Sequence, residues 1–399
     1  MIDILLLIIF MILAISIGAY FFDFYKLEFS SRMEFLLFSL AIGLGIISYT
    51  IFFLAVMGIL YSWTIYIFLI LLLLFSIPKI YRSTRQFRYK SLKVTHQPFI
   101  NYLLFFIIGT YIGLTFIDAL VPPTEADSLV YHLADPKKFL KYHSLIHTQI
   151  PGIDLKTSKI MPFNFEMLYV IPLTFDRDIF AKLIQFGTAL CAGLVLYMLS
   201  ARFFSKLAGL FAVAVFLIQP FVFNYVSTPK VDTAIVLYAI LSLYTFLVWY
   251  DNQESKWLIL CGIFSGLFFA CKLSGLFLMI ILSVLIFYKL FYEKKFDFKY
   301  SGFYLIKYLV PAFIITAPWL LRSWVVIGDP LYPYIIKLTG DHFKTNLIHH
   351  KKSVIDFITY PWNLTLDPGQ LMRRGSIYKE KNISFVSCHY SRVTFTKNV

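Results

Sequence analysis

Uninterrupted apolar runs of about 20 residues recur along this chain, and a run of that kind admits very few folds. Inside hydrocarbon no water satisfies a backbone N–H or C=O, so a crossing segment is either an α-helix or part of a closed barrel. A helix needs about 20 residues to cross, whereas a barrel strand needs only about 9–11. These runs are far too long for strands, and they predict about ten spans: 2–22, 35–56, 59–77, 99–121, 178–200, 207–225, 232–250, 257–271, 274–291 and 302–320. The expected fold class is all-α, a polytopic integral membrane protein. Composition agrees, because only 15% of the 399 residues are charged, against about 25% in a soluble domain.

The first run lacks a basic leader and a small-residue cleavage site, so it reads as a retained helix rather than a signal peptide. The net charge of +14 does not point to nucleic acid, because the Lys and Arg lie between apolar runs; basic loops and contacts to anionic lipid account for it. The four cysteines form no CxxC or Cys/His cluster, so neither a disulfide framework nor a zinc site is indicated.

Orientation follows from the basic residues of short loops. Residues 78–98 carry Lys79, Arg82, Arg85, Arg88, Lys90 and Lys93 and no acid, which makes that loop cytoplasmic. Counting spans from it puts Arg202, Lys206, Lys256, Lys294, Lys295 and Lys299 on the same side. The stretch Pro122–Asp127, the turn Ser227–Asp232 and everything after Leu321 then face out. Three regions are expected: 1–98, with the first helices and the basic loop; 99–335, a membrane core with the large outer loop 122–177; and 336–399, a polar outer segment. Within the loop, Leu129, Leu133, Pro136 and Leu140 recur at helical spacing, which predicts an amphipathic helix along the membrane surface, restarted with Asp135 as N-cap and Pro136 at its first position. Met161 to Thr174 is apolar but short, and reads as a re-entrant or interfacial piece.

Polar chemistry concentrates directly after the run ending at Val121, in Pro122-Pro123-Thr124-Glu125-Ala126-Asp127-Ser128-Leu129-Val130-Tyr131-His132. Glu125 or Asp127 in a partly dry site suits a general base that deprotonates an acceptor hydroxyl or amine; the plainer role for Asp127 is capping a helix that starts at Ser128. His132 suits binding of a phosphate or a sugar hydroxyl, or else a structural hydrogen bond. Tyr131 fits an aromatic-belt anchor. Lys137, Lys138 and Lys141 form a basic edge for lipid headgroups or a substrate pyrophosphate. Asp232 is either a cap or a second carboxylate facing the first. Lys272, between two apolar runs, either snorkels or neutralises a lipid-linked phosphate, and Arg322 suits the same phosphate. Asp3, Glu34 and Asp118 read as end-of-helix residues. Asn363-Leu364-Thr365 and Asn382-Ile383-Ser384 match the short glycosylation pattern.

The stretch Pro122–Leu133 resembles the first outer-loop motif of bacterial GT-C membrane glycosyltransferases, in the branch related to protein O-mannosyltransferases and to the transferases that decorate rhizobial lipopolysaccharide. Met161–Tyr169, Pro229–Asp232, Cys271–Gly275 and Pro318–Pro333 follow in the order of that group. The resemblance covers roughly 99–335 and implies a sugar donor linked to polyprenyl phosphate, inversion at the anomeric carbon, a catalytic aspartate at Asp127 and basic groups near the donor phosphate at Lys272 and Arg322. Tyr131, His132 and Asp232 are expected as substrate-binding neighbours, with Glu125 beside the catalytic position. Some relatives use a divalent metal, Mg or Mn, to hold the phosphate, and others require none. The implied acceptor is a lipid, glycan or protein, and the implied location is the outer face of a bacterial cytoplasmic membrane. Relatives usually continue with further spans, whereas this chain turns polar from about Gly375. An ordered tail, a disordered end and a truncated or frame-shifted reading are all compatible with that departure. Two other functions stay open here: a transporter or flippase of lipid-linked saccharides, and an inactive, truncated relative. A transporter predicts ionisable residues buried along the spans and repeat symmetry, whereas the polar residues here gather on one face.

Overall fold

The structure is a computed structural model that describes residues 1–85, 99–145, 161–293 and 298–331. The expectations for Arg88, Lys90, Lys93, Lys294 and Lys295, for both glycosylation patterns and for the polar segment 336–399 fall outside these residues. Among the described residues every regular element is helical. In order they are α1 (Ile2–Tyr25), α2 (Arg32–Val56), α3 (Ser62–Arg85), α4 (Phe99–Ala119), α5 (Ala134–Tyr142), α6 (Val170–Thr174) and α7 (Asp178–Phe203). Then follow α8 (Lys206–Ile218), α9 (Pro220–Tyr225), α10 (Asp232–Asn252), α11 (Ser255–Cys271), α12 (Gly275–Glu293) and α13 (Phe298–Ile327).

Eight of these, α1–α4, α7, α10, α12 and α13, are long and apolar enough to cross a membrane, and the chain is a multi-pass all-α membrane protein. The expected span 207–225 is divided. Gln219 leaves the helical conformation, and Pro220 opens α9, where its missing N–H costs nothing. The ends of α8 and α9 lie at opposite faces, since α8 follows Arg202 and α9 ends at Tyr225 beside Lys230. Together they traverse what one long helix crosses alone. The 17-residue α11 does the same: Lys256 near its start donates to Lys26 O at 2.6 Å, and its end, Cys271, lines the pocket described below.

Ion pairs and caps sort the helix ends into two faces. At one, Lys79 pairs with Asp23, the Tyr25 hydroxyl donates to Lys256 O, and Glu34 ties three helices. Ser31 caps α2 by accepting from Glu34 N, and the Glu34 carboxylate accepts from Ser30 N, Tyr244 Oη and Arg202 Nη1 at 2.7, 2.9 and 3.2 Å. A buried carboxylate is tolerable only with such partners. At the opposite face Asp3 pairs with Arg177 at 3.2 Å, Asp118 engages Ser227 and Lys182, and the loop after α5 bonds back to α2 through Leu145 N and Ala55 O at 3.1 Å.

Between the faces, α1 and α2 touch backbone to backbone. A Cβ built on Gly18 would lie 1.8 Å from Ser39 O, and one on Gly43 would lie 1.8 Å from Ala14 O, so only glycine allows the approach. Phe38 anchors the core with T-shaped contacts to Tyr244, Phe264 and Trp257 at 5.4, 5.6 and 5.9 Å, a favourable arrangement of ring quadrupoles.

The segment Met161–Thr174 is almost wholly buried. A 3-10 turn, Glu166–Tyr169, runs into α6, and Phe163, Phe165, Leu168 and Tyr169 join the main core. Irregular backbone at this depth is stable because protein, not lipid, covers it. Asn164 N donates to Ala270 O at 3.1 Å, and the Trp319 indole donates to Asn164 Oδ1 at 3.4 Å.

The amphipathic helix of the loop is α5, with its apolar side against the protein core through Leu133 and Phe139. Two details depart from expectation. α5 begins at Ala134, so Asp135 is not its N-cap; it is buried in the first turn and accepts from Lys138 at 2.8 Å. Leu129 is exposed, off the stripe that Leu133 and Pro136 occupy, because Ser128–His132 forms a π turn closed by Leu133 N and Ser128 O at 2.9 Å. The extra residue in that turn rotates the side chains preceding it relative to those that follow.

Candidate functional site

The helix α4 stops at Ala119, and Pro122-Pro123 prevents its continuation, since proline lacks the N–H a helix interior requires. The chain then turns at Glu125, whose Oε2 accepts from Ser128 N at 2.9 Å and Ser128 Oγ at 3.1 Å. The capping expected of Asp127 is thus done by Glu125, and Asp127 makes no side-chain cap bond. That frees Asp127 to face a pocket of about 440 Å³ formed by the π turn, the buried segment 161–166, the turn before α10 and the end of α11.

Two lysines, each paired with carboxylates, define its polar part. Lys230 Nζ lies 3.0 Å from Glu125 Oε1 and 3.4 Å from Asp127 Oδ2, with the Tyr225 ring 4.0 Å below it. Its backbone is anchored because Lys230 O accepts from the fully buried Tyr169 hydroxyl. Across the pocket Lys272 Nζ lies 3.3 Å from Asp232 Oδ1. Lys272 is in extended conformation just after α11, and its O accepts from Gly275 N at 2.9 Å. A Cβ on Gly275 would meet Phe269 backbone at 2.5 Å, so this tight return also requires glycine.

Electrostatics follow from burial and pairing. Burial raises the Glu125 pKa, but the Ser128 N–H and Lys230 outweigh it and hold the group below its ordinary 4.5. For Lys230 burial lowers the pKa, and Glu125 overrides it, leaving the ammonium above 10.5. Tyr131 is half-buried, and desolvation together with the charges of Asp127 and Glu166 pushes its phenol well up, so it stays a neutral O–H donor.

Of the residues singled out from the sequence, Asp127, Tyr131, His132, Asp232 and Lys272 all line this pocket. Tyr131 therefore faces the cavity rather than serving as a belt anchor. Glu125 stands behind the wall as the partner of Lys230. Arg322 is not part of the lining; it is buried over Trp319 at 5.6 Å and in the field of Asp135. The basic edge is also spent elsewhere, with Lys137 on Asp178 at 3.1 Å, Lys138 on Asp135 and Lys141 over Tyr142.

Two charged lining residues had no role assigned from the sequence, Lys230 and Glu166. Glu166 Oε1 lies 2.9 Å from His132 Nδ1, and both side chains are nearly inaccessible. The usable signal was an acid inside an apolar segment and a lysine between two spans, each costly unless paired.

Among the described residues no three His, Cys, Asp or Glu side chains gather into a metal-holding group. Each pocket carboxylate is engaged by a lysine or a histidine. Among the described residues this donor set does not fit a protein-held divalent ion.

No curated protein and no solved structure matches the chain. A family model does: that of dolichyl-phosphate-mannose-protein mannosyltransferase, over residues 173–322. The match covers less than half the chain and begins after the Glu125–His132 motif, but it includes Lys230, Asp232, Lys272 and Arg322. Across that stretch the chain is similar to that family, in keeping with the GT-C type of membrane glycosyltransferase that the ordered motifs resemble.

Proposed function

We propose that the chain moves a sugar from a polyprenyl-phosphate donor to an acceptor hydroxyl in the pocket above α10 and α11, at the outer face of its membrane. The observation that carries this reading is the meeting of Asp127, Asp232, Lys230 and Lys272 around one cavity of about 440 Å³, large enough for a sugar and its phosphate. Asp127, aligned by Lys230, takes the proton of the acceptor hydroxyl as that oxygen attacks the anomeric carbon. The bond from that carbon to the phosphate oxygen breaks on the opposite side, inverting the centre, and the leaving group departs as a lipid phosphate. Such a leaving group needs charge neutralisation more than a proton, which is the task of Lys272 and Lys230. Phe221, Met161 and Leu273 supply apolar wall beside the polar groups, suited to the first isoprenoid unit. The outer-face assignment is supported by the excess of Lys and Arg at the opposite helix ends, Lys79, Arg202, Lys206 and Lys256 among them.

The test is transfer of labelled sugar from polyprenyl-phosphate mannose into membranes that contain the chain or its Asp127→Asn variant at equal level. Asp127-dependent transfer is expected, with a loss of at least about a hundredfold in the variant, the usual scale of general-base catalysis. Undiminished transfer by the variant would refute the base assignment.

A further inference from the structure

We propose that His132 accepts a hydrogen bond from a saccharide hydroxyl through Nε2, held in that tautomer by Glu166. This rests on the glycosyl-transfer reading of the pocket and assigns one side of it to the sugar itself. His132 and Glu166 both line the cavity, with side chains only 5% and 2% exposed. His132 Nδ1 lies 2.9 Å from Glu166 Oε1. Among the described residues Nε2 makes no hydrogen bond, and Glu166 Oε2 is buried without a partner.

A carboxylate has only lone pairs to offer, so the 2.9 Å contact is Nδ1–H donating to Glu166 Oε1, as a histidine backed by a carboxylate commonly does. In the neutral imidazole this leaves the lone pair at Nε2. The other groups around the cavity divide by chemistry: Lys230 and Lys272 only donate, and Asp127 and Asp232 only accept. A phosphate diester brings acceptors, so it belongs with the lysines. Nε2 has no use for it and selects a ligand O–H. The Tyr131 ring, its centroid 4.1 Å from that of His132, restricts the imidazole to this orientation. His132 is in this account a sugar-binding residue, and Glu166 a positioning residue that acts through it.

The experiment uses the full chain in detergent micelles, labelled with 15N-histidine, and mannose 1-phosphate as a soluble probe of the donor head group. His132 is assigned by loss of its resonances in His132→Gln; should that variant not fold, the ring whose Nδ1 signal changes in Glu166→Gln is the same one. Expected are a protonated Nδ1, an unprotonated Nε2, and an Nε2 signal that moves with mannose 1-phosphate but not with inorganic phosphate. Glu166→Gln, nearly isosteric, permits the opposite tautomer and should weaken mannose 1-phosphate by roughly tenfold, the worth of one buried hydrogen bond, while inorganic phosphate binds as before. A protonated Nε2, or a response to inorganic phosphate equal to that with the sugar phosphate, would overturn the assignment. Hydroxyl recognition without Asp127-dependent transfer would leave this inference standing and remove the catalytic reading instead.

Discussion

Lys230 and its two carboxylates allow a sharp test of how burial distributes the cost of a charge. The lysine side chain is 4% exposed, whereas Glu125 and Asp127 are 36% and 54% exposed. Lys230→Met releases two carboxylates that water can reach, so its cost is that of a half-exposed pair, about 1 kcal/mol. The double variant Glu125→Gln/Asp127→Asn instead strands an ammonium in the interior. Breaking a buried pair in that way costs roughly 3–5 kcal/mol, and the Tyr225 ring under Nζ returns about 1 kcal/mol of it, which leaves about 3. The glutamine still accepts from Ser128, so the turn itself is kept. The triple variant, with no charge left, should recover most of the difference. Thermal unfolding of the detergent-purified protein, followed by tryptophan fluorescence at neutral pH, should rank wild type first, then Lys230→Met and the triple variant, and the double variant last. A Lys230→Met protein that unfolds with or below the double variant would refute the reasoning. The pH window follows from the shifts of the pair. The contribution of Glu125, whose pKa is lowered, is present above 4.5 and is lost as pH falls through its lowered value. That of Lys230, whose pKa is raised, is present below 10.5 and is lost as pH rises through its raised value. The ranking should therefore hold between about pH 5 and 10 and collapse outside it.

Other outcomes follow from the same geometry. Lys272→Met should change stability by no more than about 0.5 kcal/mol, because its pair with Asp232 is solvent-exposed, yet raise the KM for polyprenyl-phosphate donor about tenfold, the scale of one charge-assisted hydrogen bond; an unchanged KM would place the phosphate elsewhere. Glu34→Leu removes the partner of Arg202 and of the Tyr244 hydroxyl at the opposite face, and should cost about 2–4 kcal/mol while transfer per folded molecule stays at the wild-type level. Gly43→Ala puts a methyl group against Ala14 O, and should lower stability by at least about 2 kcal/mol, read as a lower yield of folded protein in mild detergent.

What could be read in advance was whatever depends on local chain chemistry. Span lengths follow from hydropathy alone, so the fold class and nearly all the crossings were visible. Pairings across the fold were not. Asp127 is two residues from Glu125 in sequence, and nothing local says that one would cap the turn while the other faces the cavity; the lysine that decides it comes about a hundred residues later. Arg322 reads as a surface phosphate group because it follows Pro318-Trp319, but the helix runs on to Ile327 and keeps it buried. Leu129 is exposed rather than on the predicted apolar stripe, because periodicity does not distinguish a π turn from an α turn. The division of the 207–225 run at Pro220 is marked in the sequence by the proline, but the uniformly apolar flanks hide its effect.

The Gly18 and Gly43 contacts bear on the order in which the molecule is built. They are reciprocal, each helix receiving the other's carbonyl against its glycine, and both partners lie within the first 43 residues. Shape alone makes this fit, with no ion pair supplied from downstream. The two N-terminal helices can thus lock together while the rest of the chain is still being synthesised. The Glu34 cluster matures only after α7 and α10 bring Arg202 and Tyr244, and the pocket, which draws on α4 through α11, is finished later still.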